Sequence, residues 1–190
     1  MPSNREIEVK FQVDDLRALN QQLRKSGLRL LTRRTLEVNT LYDLPSHPLR
    51  RRGELLRLRK YGSEWLLTHK AKGKTGRHKE RVEIQTQVAD GAEMEAILRA
   101  LGFVPTFRYE KFRAEWSDSA GRVVVDQTPI GNFAEIEGPS RWIDRTAAML
   151  KVRPEAYITS TYAELFFQWK KRRHSSAREM TFKAIPKPQM

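Results

Sequence analysis

Hydrophobic and polar residues alternate with a period of two from the start of the chain. In "REIEVKF", residues 5 to 11, Glu6, Glu8 and Lys10 alternate with Ile7, Val9 and Phe11. That pattern predicts a strand with one apolar and one charged face. "DDLRALNQQLRKSGL" follows with Leu16, Leu19 and Leu23 at helical spacing, a cap expected at Asp14 and an end at Gly27. Residues 28–45 read as a long strand stopped by Pro45, and 46–54 as a loop. "LLRLRKYG" and "EWLLTHKAKG" read as a hairpin turning at Gly62-Ser63. A Gly- and Lys-rich loop, the strand "RVEIQTQV" and a second helix, capped by Asp90 and closed by Gly102, come next. Then "RYEKFRAEWS", "RVVVDQT" and "GNFAEIEG" read as strands, followed by helical material near 141–150 and 160–171. Strand, helix and further strands thus occur twice, without a strict sequence repeat. About eight mostly antiparallel strands with a few helices predict an α+β chain built on a closed or nearly closed barrel.

The polar faces hold the candidate chemistry. Arg57 and Arg59 share a face, as do Thr68, Lys70 and Lys72. Arg81, Glu83 and Gln85 are in phase, as are Lys111, Arg113 and Glu115, and Glu135 and Glu137; Asp126 ends "VVVD". A solvated outer face accounts for any one of these strands. Six such strands, with charges of both signs, point to a barrel with its polar faces inward and its apolar faces covered by helices. Unpaired buried ions cost several kcal/mol each, so such a lumen holds water, a charged ligand or both. Clustered Lys and Arg suit phosphate oxygens, and carboxylates without His or Cys suit Mg²⁺ or Mn²⁺.

Composition narrows the classes. A chain of 190 residues suits one domain with a sizeable core, or a core domain plus a tail. No apolar run reaches the roughly 18 residues of a membrane span, and early charges from Arg5 onward argue against a signal peptide. The absence of cysteine removes disulfides and thiolate metal sites and fits a cytoplasmic setting. A net charge of +13 invites a polyanion, and residues 170–190 hold seven Lys/Arg against one acidic residue. Their composition predicts a mobile basic tail after a folded domain of 1–169, with weak nucleic-acid contact as its one candidate role. Trp65, Phe112 and Trp116 fall on apolar faces and read as core, which weighs against a non-catalytic RNA- or polyanion-binding domain that stacks bases on aromatics.

Over roughly residues 5–168 the chain resembles the CYTH superfamily, the triphosphate tunnel metalloenzymes. The likeness rests on the ExExK run of Glu6, Glu8 and Lys10, on "LRLRK", "LLTHKAK", the Arg81/Glu83 strand, "EKFR", "VVVDQTPIGNFAEIEG" and "STYAELF". It implies an eight-stranded antiparallel tunnel that binds triphosphate along its axis. By motif, Glu6 and Glu8 would bind metal, with Glu135 and Glu137 on the opposite wall and Asp126 as a further candidate. Lys10, Arg57, Arg59, Lys70, Lys111 and Arg113 would contact phosphates, joined by Arg81 and, at a strand end, Lys72. Glu6, Glu8, Lys10 and Arg59 are the catalytic candidates. The family includes class IV adenylyl cyclases and thiamine and inorganic triphosphatases. The implied substrate is therefore inorganic triphosphate, thiamine triphosphate or ATP. Family breadth puts hydrolysis ahead of cyclisation of ATP to cyclic AMP. A homodimer through a barrel wall is left open.

Overall fold

In β1 (Arg5–Gln12) Val9 and Phe11 are buried against helices on the outside, while Glu6, Glu8 and Lys10 face inward, so the first strand alternates as its sequence does. The computed structural model of the chain describes residues 5–186, apart from the side chain of Thr75. The remaining elements are α1 (Leu16–Lys25), β2 (Arg29–Asp43), α2 (Pro48–Arg52), β3 (Leu55–Tyr61), β4 (Glu64–Lys70), β5 (Lys74–Thr75), β6 (Lys79–Val88), α3 (Gly91–Ala100), β7 (Val104–Ser117), β8 (Arg122–Thr128), β9 (Gly131–Glu137), α4 (Ser140–Met149) and α5 (Tyr162–Arg173). The antiparallel order β1-β9-β8-β7-β2-β3-β4-β6 closes where Arg5–Glu8 of β1 pair with Lys79–Val82 of β6, making an eight-stranded barrel; β5 is a short flap on β6. No helix among the described residues is long and apolar enough to cross a membrane.

The two halves anticipated from element order are present. Asp15 caps α1 and Asp90 caps α3, and Gly27 and Gly102 end the two helices with φ of +84° and +86°. Left-handed φ of this kind favours glycine. The expected cap at Asp14 moves one residue: Asp15 Oδ1 accepts from the N–H groups of Arg17 and Ala18. The strands before these helices, β1 and β6, lie side by side at the closure, and those after them, β2 and β7, pair over most of their length.

Helices α1 and α4 cover β1, β8 and β9 through Leu19, Leu23, Trp142 and Ile143, which pack with Phe11, Trp116 and Val123. α3 covers β3 and β4, and Gly91 there lies so close to Trp65 that a Cβ would sit 2.1 Å from its ring. Helical cover is incomplete. Between these groups the outer face of β6 leaves Val82 and Ile84 exposed, contrary to the expectation that helices shield every apolar face. Phe112 is half-buried, with the Arg34 guanidinium 3.4 Å from its ring centroid and Phe182 packed beside it. Residues 48–52, expected as loop, form α2 with Pro48 in its first turn.

The mobile tail expected from residue 170 is corrected as far as residue 186. α5 runs on to Arg173, and the chain then turns back along β7. Met180 exchanges backbone hydrogen bonds with Arg108 and Glu110, and the Glu110 carboxylate accepts from the Phe182 N–H. Met180 and Ile185 are buried with Phe107, Tyr109, Tyr162 and Phe166. Spaced apolar anchors outweigh the basic composition, because each basic side chain keeps its head in water while the backbone is paired. Residues 187–190 lie outside the described part.

Candidate functional site

The charged faces converge. Glu6, Glu8 and Lys10 from β1, Arg57 and Arg59 from β3, Lys70 from β4, Arg81 from β6, Lys111 and Arg113 from β7, and Glu135 and Glu137 from β9 all line one central cavity of about 120 Å³. Alternation makes this inevitable once the barrel is closed with its apolar faces out, since every second residue then meets the axis. Lys72 is the exception. β4 ends at Lys70, the alternation stops with it, and Lys72 is exposed outside the lining, beside Gly53.

Most lumenal ions are paired with one another, which explains how so much charge is buried. Lys70 lies 2.8 Å from Glu6 and 2.7 Å from Glu83. Arg81 reaches Glu6 at 3.0 Å and Glu8 at 3.5 Å, and Lys79 reaches Glu8 at 3.5 Å. Glu135 and Glu137, expected on the opposite wall, stand on β9 directly beside β1: Lys10 lies opposite Glu135 in the register, 3.3 Å away, and donates to the carbonyl of Ser160. Burial pushes the Glu6 carboxyl up, but Lys70 and Arg81 outweigh it and hold the group well below the usual carboxylate range.

Asp126 and Glu135 do not join a carboxylate cluster. Asp126 accepts a two-pronged bond from Arg113 at 2.8 and 2.7 Å, one from Lys111 at 2.9 Å and one from the Tyr162 hydroxyl at 2.7 Å. Glu135 takes Arg113 at 2.7 Å. These acids pair with the cationic wall, and Asp126 stands apart from the three carboxylates that gather.

The carboxylates that do gather are Glu6, Glu8 and Glu137, with ligand atoms all within 4.8 Å of one another. Burial pushes the Glu137 carboxyl up to about 7; Arg122 pulls against that shift, and Glu135 and Glu6 add to it. Three carboxylates with donor atoms this close fit a hard divalent cation such as Mg²⁺ or Mn²⁺.

Several groups in or behind the lining escaped the sequence reading. Glu37 is fully buried among Arg59, Lys111 and Arg113, at 3.4, 3.4 and 3.7 Å. It is in phase with Asn39, a signal available in the sequence but set in a strand whose earlier register is broken by irregularities. Lys79 stands two residues before Arg81 in the same phase, and Arg122 lies opposite Glu137 in the β8–β9 register. Tyr162 enters from α5, with Lys10 and Lys111 Nζ 4.2 and 4.8 Å from its ring centroid. Arg57 Nε and Arg59 Nε are buried without a hydrogen-bond partner among the described residues.

Comparisons with known proteins agree with this geometry. The CYTH domain model matches residues 4–152. A curated protein of Methanocaldococcus jannaschii, provisionally named an adenylate cyclase, is 26% identical over 133 residues, covering 70% of this chain and 75% of the relative. A Vibrio parahaemolyticus crystal structure, also provisionally called an adenylate cyclase, superposes with a TM-score of 0.75 at 18% identity, over 85% of this chain and 97% of the other. HpAC1 from Hippeastrum, provisionally called an adenylyl cyclase and described as showing a dominant triphosphatase activity, superposes at 0.64 with 20% identity, over 86% and 95%. At these identities the structural matches speak for the fold.

Proposed function

Because the chain belongs to the CYTH domain family, which is in general metal-dependent, we propose that it hydrolyses a triphosphate bound along the barrel axis. One observation carries the reading: the convergence of Lys10, Arg57, Arg59, Lys70 and Arg81 on a single cavity beside Glu6, Glu8 and Glu137. A triphosphate carries about four negative charges at neutral pH, and charge builds on the leaving oxygens during transfer. Lys70 and Arg81 would exchange Glu6 for phosphate oxygens, and the unpartnered Nε groups of Arg57 and Arg59 would turn to the same chain. Glu6, Glu8 and Glu137 would then hold a divalent ion, which when bound would supply positive charge to offset that of the phosphates. Lys111 and Arg113, held by Asp126, would meet the phosphates from the far wall.

A second reading is cyclisation of ATP to cyclic AMP and pyrophosphate, favoured by the names of the Methanocaldococcus and Vibrio proteins. A passive polyanion- or RNA-binding role is disfavoured, because Glu6, Glu8 and Glu137 would repel phosphate unless a cation stood between them. Incubation with ATP, inorganic triphosphate or thiamine triphosphate, each with Mg²⁺ or Mn²⁺, separates these readings. Orthophosphate release is expected. Cyclic AMP with pyrophosphate would select the cyclase, and no turnover of any of the three would leave the binding role.

A further inference from the structure

The pairing of ions in the lumen is uneven, and Arg59 is served least well. Glu37 is shared among Arg59, Lys111 and Arg113, but Lys111 and Arg113 also hold Asp126 at 2.9 and 2.7 Å. Arg59 has only its share of Glu37, at 3.4 Å, and otherwise a neutral partner. Gln85 Oε1 accepts from Arg59 Nη2 at 2.8 Å and from Thr68 Oγ1 at 3.0 Å. Beside it, Arg57 donates to the Tyr109 hydroxyl at 3.4 Å and stays 4.0 Å from Glu83. Both arginines also keep a buried Nε without a partner among the described residues.

The electrostatics single out the same side chain. Burial, then the neighbouring Arg57, pull the Arg59 guanidinium below its ordinary value, and Glu37 does not make up the difference. Arg81 and Arg113 are buried too, but there nearby carboxylates outweigh burial and hold the guanidinium above its ordinary value. The cause lies in the strand register. Arg81, Glu83 and Gln85 follow one another on the inner face of β6. Lys70 stands opposite Glu83, 2.7 Å away, whereas Thr68 stands opposite Gln85, and Arg57 opposite Thr68. The row of acids on β6 therefore ends one rung short of the β3 arginines. Packing does not demand the amide, because Gln85 is exposed and a carboxylate would occupy the same space.

Resting on the triphosphate reading above, we propose that Gln85 is a positioning residue for the phosphate chain: as a neutral partner of Arg59, it leaves the β3 arginine pair short of negative charge, so that the substrate's own oxygens complete it. A buried cation held mainly by an amide dipole is a strained arrangement in the empty lumen, and a phosphate relieves it. Stability and binding are thus opposed at this position. Whatever neutralises Arg59 beforehand steadies the ligand-free barrel and takes affinity away. An uncharged side chain at 85 also adds no repulsion when the phosphates arrive.

Gln85→Glu tests this by calorimetric titration with inorganic imidotriphosphate in Mg²⁺. Affinity should fall at least about tenfold, because the new carboxylate takes Arg59 in a charged pair. The ligand-free variant should melt about 2–4 °C higher than the wild type. Gln85→Met, neutral but unable to accept the hydrogen bond in the same way, should lose at most about threefold. In an Arg59→Met background, adding Gln85→Glu should cost less than about threefold, since the cation through which it acts is gone. Gln85→Glu overturns the proposal if it binds like the wild type, melts lower, or costs as much without Arg59 as with it. An equal loss in Gln85→Met and Gln85→Glu would overturn it too, because the hydrogen bond and not the charge would then matter. In each of these cases the tunnel reading stands, provided the wild type binds imidotriphosphate. If the wild type does not bind it, the tunnel reading falls, and this proposal with it.

Discussion

Glu37 shows what a single buried acid does in this lumen. It is fully buried, and burial pushes its carboxyl up, yet Lys111, Arg113, Arg59 and Arg57 together hold it well below the ordinary range. Glu37→Gln keeps the shape and leaves four cations short of an anion; a loss of roughly 3–5 kcal/mol is expected, read from chemical denaturation. Glu6→Gln with Glu8→Gln should leave the fold intact by circular dichroism and lower Mg²⁺-dependent turnover by at least about 100-fold, since two of three clustered oxygen donors are weakened. Arg57→Ala should reduce kcat/KM for the triphosphate by a similar factor, measured in steady state; unchanged kinetics would exclude a phosphate contact there. Most of these side chains could be named from the sequence because phase along a strand fixes the face. Glu37 and Arg122 were missed for opposite reasons. Glu37 sits in a strand with broken register, and Arg122 acts only through its neighbour across β9.

Among the elements, the segment after α5 departs most from its composition. Met180 is fully buried and its backbone is bonded to β7 on both sides of Tyr109, so a run that looks like a solvated terminus is a covering strap. Met180→Ala should cost about 2–5 kcal/mol in denaturant unfolding, the range for truncating a buried side chain. A mobile terminus would show no change. The signal was faint because Met180, Phe182 and Ile185 follow neither a strand nor a helix period, and only the partner surface gives their spacing a meaning. By contrast, α1 and α3 were readable down to their closing glycines, because caps and left-handed ends are local chemistry.

For the molecule as a whole, the surplus charge of +13 is an exterior property. Nine cations line or face the central cavity, and with Glu37 and Asp126 behind the lining they meet eight acids there. A triphosphate entering alone would therefore leave the interior strongly negative, which is the electrostatic reason to expect a divalent partner. The carboxyl of Glu137, raised from 4.5 to about 7, gives this a pH signature. A raised value in the folded state stabilises the protein fully below about pH 4.5, and that contribution is lost as pH rises through 7. In chelator, stability should fall by about 3 kcal/mol between roughly pH 5 and pH 8. Mg²⁺ should restore it, with affinity rising over the same interval as the competing proton leaves, both seen in thermal melts. Glu6 and Glu37 are shifted the other way, so their contribution is kept through this window and lost only as pH falls below the ordinary carboxylate range. The inward charges across many strands were evident before any coordinates. The order in which the strands close was not, because it arises only when distant segments meet.

The seam where β1 meets β6 joins only Arg5–Glu8 to Lys79–Val82, and it carries Glu6 and Glu8 on one lip and Lys79 and Arg81 on the other. The zip that shuts the wall is therefore made of the same side chains that would grip the phosphates and the ion. A molecule laced into the lumen would act as a rivet across this joint, and turnover would loosen and refasten the barrel at its thinnest line.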